Sequence, residues 1–86
     1  MPASTAIDFD ARRRSKWARG RAERGLPEDG SVFLGDPCRE GQDECVDLAN
    51  YVDQAIRDGL IPETVGDEII RQAYGIDMIL GVYART

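Results

Sequence analysis

Three carboxylates recur within eight residues of the stretch DPCREGQDECVDLANY, residues 36–51. Their spacing of four and three residues places Glu40, Glu44 and Asp47 on one side of an α-helix. Oxygen atoms are the ligands that Mg²⁺ takes from proteins, usually from one or two carboxylates together with waters and phosphate groups. The pattern therefore predicts either a magnesium site or the solvated face of an acidic helix, because the spacing fits both.

A second set of side chains able to do chemistry is basic and lies near the N-terminus. Residues 1–24 carry seven basic and three acidic side chains, a net charge of +4, whereas residues 25–86 carry −9. Such basic side chains can hold phosphate oxygens, bind a nucleic-acid backbone or remain solvated. A pI near 4.6 argues against a dedicated nucleic-acid-binding protein, so a nucleotide or a protein is the expected partner. The candidate phosphate contacts are Arg14, Lys16, Arg21 and Arg24.

Several kinds of catalytic or metal site are excluded by residue type. The sequence has no histidine and two cysteines, which rules out a histidine-based triad and makes a structural zinc site untenable. Cys38 and Cys45 are seven residues apart, so in one helix their Cα atoms would lie about 10 Å apart, beyond the roughly 7 Å limit for a disulfide. The glycine-rich stretch GLPEDG lacks the Lys-Ser/Thr that follows a phosphate-binding loop.

The elements that position these residues are predicted to be three helices in one all-α domain of residues 1–86. Strand-like alternation is absent from the sequence, and glycine and proline mark the boundaries of the helical segments. The predicted segments are a basic helix at 8–24, a loop at 25–36, an acidic amphipathic helix at 37–58 and a C-terminal helix at 62–84.

The acidic helix has the strongest local signals. Asp36 is a good N-cap, Pro37 suits the first helical position, and Gly59 suits the end. In the C-terminal helix, Thr64 and Asp67 form a pattern like a capping box. Apolar residues then recur there with heptad-like spacing, at Val65, Ile69, Ala73, Ile76, Leu80 and Tyr83. This stripe predicts an antiparallel hairpin of the second and third helices.

The length of the chain predicts self-association. A chain of 86 residues buries a modest share of its surface, so a lone three-helix monomer would be marginally stable. We therefore expect a homodimer or a higher oligomer, in the form of a helical bundle. Apolar runs fall short of the ~20 residues that span a bilayer, and the N-terminus lacks the apolar core of a secretory signal. We expect a cytoplasmic protein without a membrane partner.

The stretch GSVFLGDPCREGQDECVDLANYVDQAI resembles the central helix of the small MazG-like, all-α nucleotide pyrophosphohydrolases, particularly phage-encoded members. The resemblance covers about residues 31–58 and rests on an E-x-x-D pair, here Glu44 and Asp47 within ECVDLANY. It implies an oligomer that binds Mg²⁺ and hydrolyses a nucleoside triphosphate to the monophosphate and pyrophosphate. Glu44 and Asp47 would be catalytic, with Glu40 as a third metal ligand. A phage-encoded member would act in the host cytoplasm.

The sequence departs from this family at its first helix. The family carries E-E-x-x-E there, whereas the corresponding segment here is ARRRSKWARGRAERG, which is basic. The site could be reduced, completed across a dimer, or lost while the scaffold was kept. The alternative function is a non-enzymatic phage-type interaction protein that binds and inhibits a host protein or sequesters a nucleotide.

Overall fold

The computed structural model describes residues 6–85, with side chains from residue 8 onwards. It contains three α-helices: α1, Ala6–Glu23; α2, Pro37–Arg57; and α3, Glu63–Tyr83. The described part of the chain contains no strand. The all-α prediction is therefore confirmed. The chain divides into two compact units, Met1–Leu34, which holds α1, and Gly35–Thr86, which holds α2 and α3.

In the first unit, α1 ends where glycine was expected to end it. Gly25 has φ +66°, a conformation that favours glycine, and it directly follows the last turn. The amide of Leu26 donates to the carbonyl oxygen of Arg21 at 2.9 Å, which closes the helix end in the manner of a Schellman motif. The chain then turns back as a loop whose residues contact the last turns of α1.

In the second unit, α2 and α3 form an antiparallel hairpin, as the sequence predicted. Near the start of α2, the side-chain amide of Gln42 donates to the carbonyl oxygen of Asp77, late in α3, at 3.1 Å. Near the end of α2, Ile56 packs against Gly66, early in α3, so closely that a Cβ atom on that glycine would lie 2.3 Å from the Ile56 Cδ1. The two helices therefore run in opposite directions and leave no room for a side chain at Gly66.

The caps of the hairpin agree with the sequence at α2 and differ at α3. The Asp36 carboxylate accepts a hydrogen bond from the Cys38 amide at 2.9 Å, and Pro37 is the first residue of α2. At α3 the N-cap is Pro62, in an extended conformation, and no side chain caps the helix. The capping box predicted for Thr64 and Asp67 is therefore wrong, because the helix begins one residue before Thr64.

The hairpin has a small core for its size. Among the described residues, Val52 and Ala73 are the buried hydrophobic residues, with 8% and 2% of their surface exposed. Many larger apolar side chains on the same two helices are exposed: Val46, Leu48, Tyr51, Val65, Tyr74, Ile76, Met78, Ile79, Val82 and Tyr83. Burial of apolar surface is the dominant favourable contribution to folding, so an isolated hairpin with this surface is weakly stabilised.

None of the helices in the region 6–85 is long and apolar enough to cross a lipid bilayer.

Candidate functional site

The acidic stripe, which we define as Glu40, Glu44 and Asp47, lies on the outside of α2. All three side chains are exposed, and α2 holds them on one side through its four- and three-residue spacing. The salt bridges found in the described part of the chain do not involve them. The stripe therefore presents charge that the described structure leaves without a cationic partner.

Two other carboxylates on the hairpin form salt bridges. Glu68 pairs with Arg71, with a shortest contact of 2.6 Å, and Asp53 pairs with Arg57 at 2.8 Å. Hydrogen bonds from Arg71 and Gln72 hold the pKa of Glu68 below its ordinary value of 4.5. The hairpin thus contains acidic residues of two kinds, which differ in whether a neighbouring side chain already neutralises them.

The start of α2 is fixed next to the stripe. Asp36 accepts hydrogen bonds from the backbone amides of Arg85 and Cys38. The Arg85 amide is the main cause of a pKa for Asp36 below its ordinary value of 3.8, because it stabilises the charged form. Glu40 follows in the first turn, where the helix dipole favours a negative charge. The position of the stripe is therefore set by a helix start that is capped by Asp36 and tied to the end of the hairpin.

The stripe does not form a complete metal cage within one chain. Among residues 6–85, no three Cys, Asp or Glu side chains converge closely enough to hold one ion. Glu44 and Asp47 remain as an exposed pair one helical turn apart. A pair of carboxylates suits Mg²⁺ when waters and phosphate oxygens supply the other ligands. The donor set therefore fits a nucleotide-bound ion better than a buried structural ion, and the role of the three acids stays a prediction.

The four candidate phosphate contacts occupy different environments in the first unit. Arg14 forms a salt bridge with Asp10 at 3.2 Å, while Lys16 and Arg24 are exposed. Arg21 is 2% exposed, and its guanidinium donates to the carbonyl oxygens of two loop residues, Pro27, at 2.9 Å, and Val32. Arg21 thus holds the loop on α1 and presents no donor to a ligand in this conformation.

Two aromatic rings pack against the Arg21 side chain. Its guanidinium lies 4.9 Å from the ring centre of Trp17 and 5.8 Å from that of Phe33. The two rings are nearly parallel, with centres 6.2 Å apart, and the indole N–H of Trp17 donates to the Glu28 carbonyl oxygen at 2.9 Å. Cation–π attraction and hydrogen bonds together compensate the desolvation of the buried charge. The sequence did not reveal that Arg21 is the central residue of this cluster.

A basic face, defined as Arg12, Lys16 and Arg19, lies elsewhere on α1. These side chains line a shallow open depression together with Ala11 and Ser15. All three are exposed, and the Arg12 guanidinium lies 5.9 Å from the Phe9 ring centre. The sequence prediction selected Lys16 alone from this face. The spacing of four and three residues within the basic face is the sequence signal that could have identified Arg12 and Arg19 as well.

An apolar groove, with a volume of about 220 Å³, lies between α2 and α3. Two residues with polar side chains, Asn50 and Asp77, stand among its mostly apolar walls. The groove also exposes part of Cys45, which, like Cys38, is a free and half-buried cysteine. The remaining lining residues are Val46, Ala49, Ile70, Ala73 and Tyr74. Apolar concave surfaces of this kind favour contact with apolar partners.

Comparisons of the chain with models of known protein families, with curated proteins and with solved structures found no match.

Proposed function

We propose that this chain is a MazG-like nucleotide-binding protein that holds a nucleoside triphosphate through Mg²⁺ at the acidic stripe. The observation that supports this most directly is the contrast between the acids of the hairpin. Glu44 and Asp47 are exposed and outside the salt bridges of the described chain, whereas Glu68 is occupied by Arg71. Like charges one turn apart repel each other by a few tenths of a kcal/mol, a cost that a shared cation would remove.

The chemistry of a Mg²⁺–triphosphate complex suits this donor set. The ion prefers octahedral oxygen coordination and keeps several waters, so two carboxylates and two or three phosphate oxygens can complete it. Arg14, Lys16 and Arg24 of the first unit stay candidate phosphate contacts from the sequence, and the proposed site on the second unit does not depend on them. Arg21 supports the loop and has no direct part in this proposal.

Hydrolysis to the monophosphate and pyrophosphate extends this proposal. A water oxygen would attack the α-phosphorus, and the bond to the oxygen that bridges the α- and β-phosphates would break as pyrophosphate leaves. Bound Mg²⁺ supplies charge neutralisation and alignment of the phosphates. Glu44 and Asp47 would hold the ion. Because the sequence has no histidine, a carboxylate of the stripe is the natural acceptor for the proton of the attacking water.

A homodimer or higher oligomer is part of the same proposal, with the chain acting in the cytoplasm, or in the host cytoplasm if phage-encoded. Helical periodicity places one set of exposed apolar side chains on the side of the hairpin opposite the groove. We call this set the broad apolar face: Leu48, Val65, Ile76, Ile79 and Tyr83. Glu44 lies one turn before Leu48, so a copy seated on this face would approach the stripe and could supply the missing oxygens.

Pyrophosphate release tests the enzymatic proposal. The full chain is incubated with each of several nucleoside triphosphates and Mg²⁺, and Glu44→Gln and Asp47→Asn are compared with Glu68→Gln as the matched control. We expect release by the wild type and the control, and a fall of about a hundredfold in the two stripe variants. Release that persists in both stripe variants, or that is absent throughout, contradicts hydrolysis at this site.

A second candidate function is favoured by the exposed apolar groove between α2 and α3. A non-enzymatic interaction protein would use this hairpin surface to bind and inhibit a host protein, or would sequester a nucleotide without hydrolysing it. Exposed concave apolar surface supports the first form, since such surfaces are common at protein interfaces. Nucleotide binding without pyrophosphate release would support the second form. The same variants therefore separate an enzyme from a nucleotide-binding protein that lacks catalysis.

A further inference from the structure

Two sets of opposite charge in this chain share one spacing. Arg12, Lys16 and Arg19 of the basic face are separated by four and three residues, and so are the three acids of the stripe. On an α-helix this spacing confines each set to an arc of about 60° and a length of about 10.5 Å. Two helices carrying such sets can face each other with three opposed charge pairs.

The charges of the basic face are those that α1 leaves for an external partner. Arg13 and Arg14 form salt bridges with Asp10, and Arg21 is buried against Trp17 and Phe33. Lys16 and Arg19 are exposed and belong to none of the salt bridges in the described region. The hydroxyl of Ser15 lies in the same depression and adds a hydrogen-bond donor.

We propose that the basic face of one copy docks on the acidic stripe of a second copy of this chain. A second copy is the expected partner because the charges are complementary: residues 1–34 carry a net charge of +2, and residues 35–86 carry −7. Each copy has both faces, so two copies can associate through one ladder of ion pairs, and a two-fold dimer would form two equivalent ones. The inference goes beyond the proposed function: this contact is separate from the broad apolar face, and it competes with a nucleotide-bound cation for the acidic stripe.

The equal spacing fixes which residues meet at the centre of each ladder. If α1 of one copy runs parallel to α2 of the other, the opposed pairs are Arg12 with Glu40, Lys16 with Glu44, and Arg19 with Asp47. If they run antiparallel, the outer pairs exchange, while residue 16 still faces residue 44. Lys16 and Glu44 are therefore opposed in either direction, which makes them the pair to exchange in an experiment.

A second copy fits these faces better than other polyanions do. A net charge of −5 disfavours polyanions and a second copy alike at long range, so the preference for a second copy rests on the matched spacing of the charges. A second copy brings three acids at the spacing of the basic face. Exposed ion pairs are screened by salt, with a Debye length of about 10 Å at 0.1 M and about 3 Å at 1 M. The dimer should therefore weaken as the salt concentration rises.

A charge-exchange experiment tests this interface. Sedimentation of the full chain at about 50 mM and about 500 mM NaCl measures the dimer dissociation constant. We expect Lys16→Glu alone and Glu44→Lys alone each to raise it by about tenfold or more at the lower salt. An equimolar mixture of the two variants should restore wild-type affinity, since each ladder between the unlike variants opposes a lysine and a glutamate. Arg13→Glu and Asp67→Lys, exposed positions outside the two faces, are the controls.

Three results would overturn the proposal. The first is a dissociation constant that neither variant changes. The second is a mixture that associates no better than the single variants. The third is a wild-type chain that stays monomeric at low salt. Titration with a single-stranded oligonucleotide and with anionic vesicles identifies the alternative occupants. One such result is a wild type that binds the oligonucleotide or the vesicles without self-associating. If Lys16→Glu abolishes that binding, the basic face is assigned to the oligonucleotide or to the lipid surface instead.

Discussion

The guanidinium of Arg21 lies over the indole ring of Trp17, 4.9 Å from the ring centre, while its nitrogens donate to carbonyl oxygens of the loop that follows α1. Arg21→Met keeps an apolar stem and removes these donors, so two loop carbonyls lose their side-chain partner. We expect the first unit to lose about 1–3 kcal/mol of stability. Trp17 is the only tryptophan, so its fluorescence during urea unfolding reports on this unit. Arg19→Met, at an exposed position, should leave the transition unchanged.

Two glycines of α3 should respond to alanine in opposite directions. A Cβ atom at Gly66 would lie 2.3 Å from Ile56, so Gly66→Ala should destabilise the hairpin by about 1–3 kcal/mol. A Cβ atom at Gly75 meets nothing within 4 Å, so Gly75→Ala should stabilise α3 by about 0.5–1 kcal/mol through helix propensity. Denaturant unfolding followed by circular dichroism measures both. Equal effects of the two changes would contradict the close helix approach at Gly66.

Asp36 should make the hairpin sensitive to acid. Its pKa lies below 3.8 in the folded chain, chiefly because the Arg85 amide donates to its carboxylate. A lowered folded-state pKa adds stability above the unfolded value, and this stability is lost as the pH falls through the folded value. Asp36→Asn should therefore reduce the stability difference between pH 6 and pH 2. Thermal unfolding across this range checks it, and an unchanged pH profile would refute the role of this carboxylate.

The broad apolar face should control oligomer formation. Ile76 and Met78 are similarly exposed, at 50% and 56%, but helical periodicity directs Met78 away from that face. Ile76→Glu should shift the chain towards the monomer in sedimentation experiments at about 500 mM NaCl, where the ion-pair ladders are screened, because a charge would be buried in the interface. Met78→Glu should not. Circular dichroism confirms that both variants remain helical, and identical association of the two variants would assign the interface to another surface.

Local signals in the sequence accounted for the helices of the hairpin. Asp36 and Pro37 determine the start of α2 through short-range capping, which sequence patterns reveal directly. The environment of Arg21 could not be predicted, because its acceptors lie in a loop whose path depends on hydrogen bonds and not on periodicity. Helical spacing also predicted that Glu44 and Asp47 lie on one side of α2. It could not determine whether a third acid converges on them, since this depends on the assembly.

Paramagnetic broadening by Mn²⁺ can locate the cation, because Mn²⁺ occupies oxygen sites of the same kind as Mg²⁺. NMR spectra of the full chain are recorded with a non-hydrolysable nucleoside triphosphate analogue while Mn²⁺ is added. We expect the amide signals of Glu44 and Asp47 to broaden first, those of Glu68 and Arg71 to persist, and Glu44→Gln to suppress the broadening. Broadening centred elsewhere, or equal broadening at Glu68, would contradict a nucleotide-bound cation at the acidic stripe.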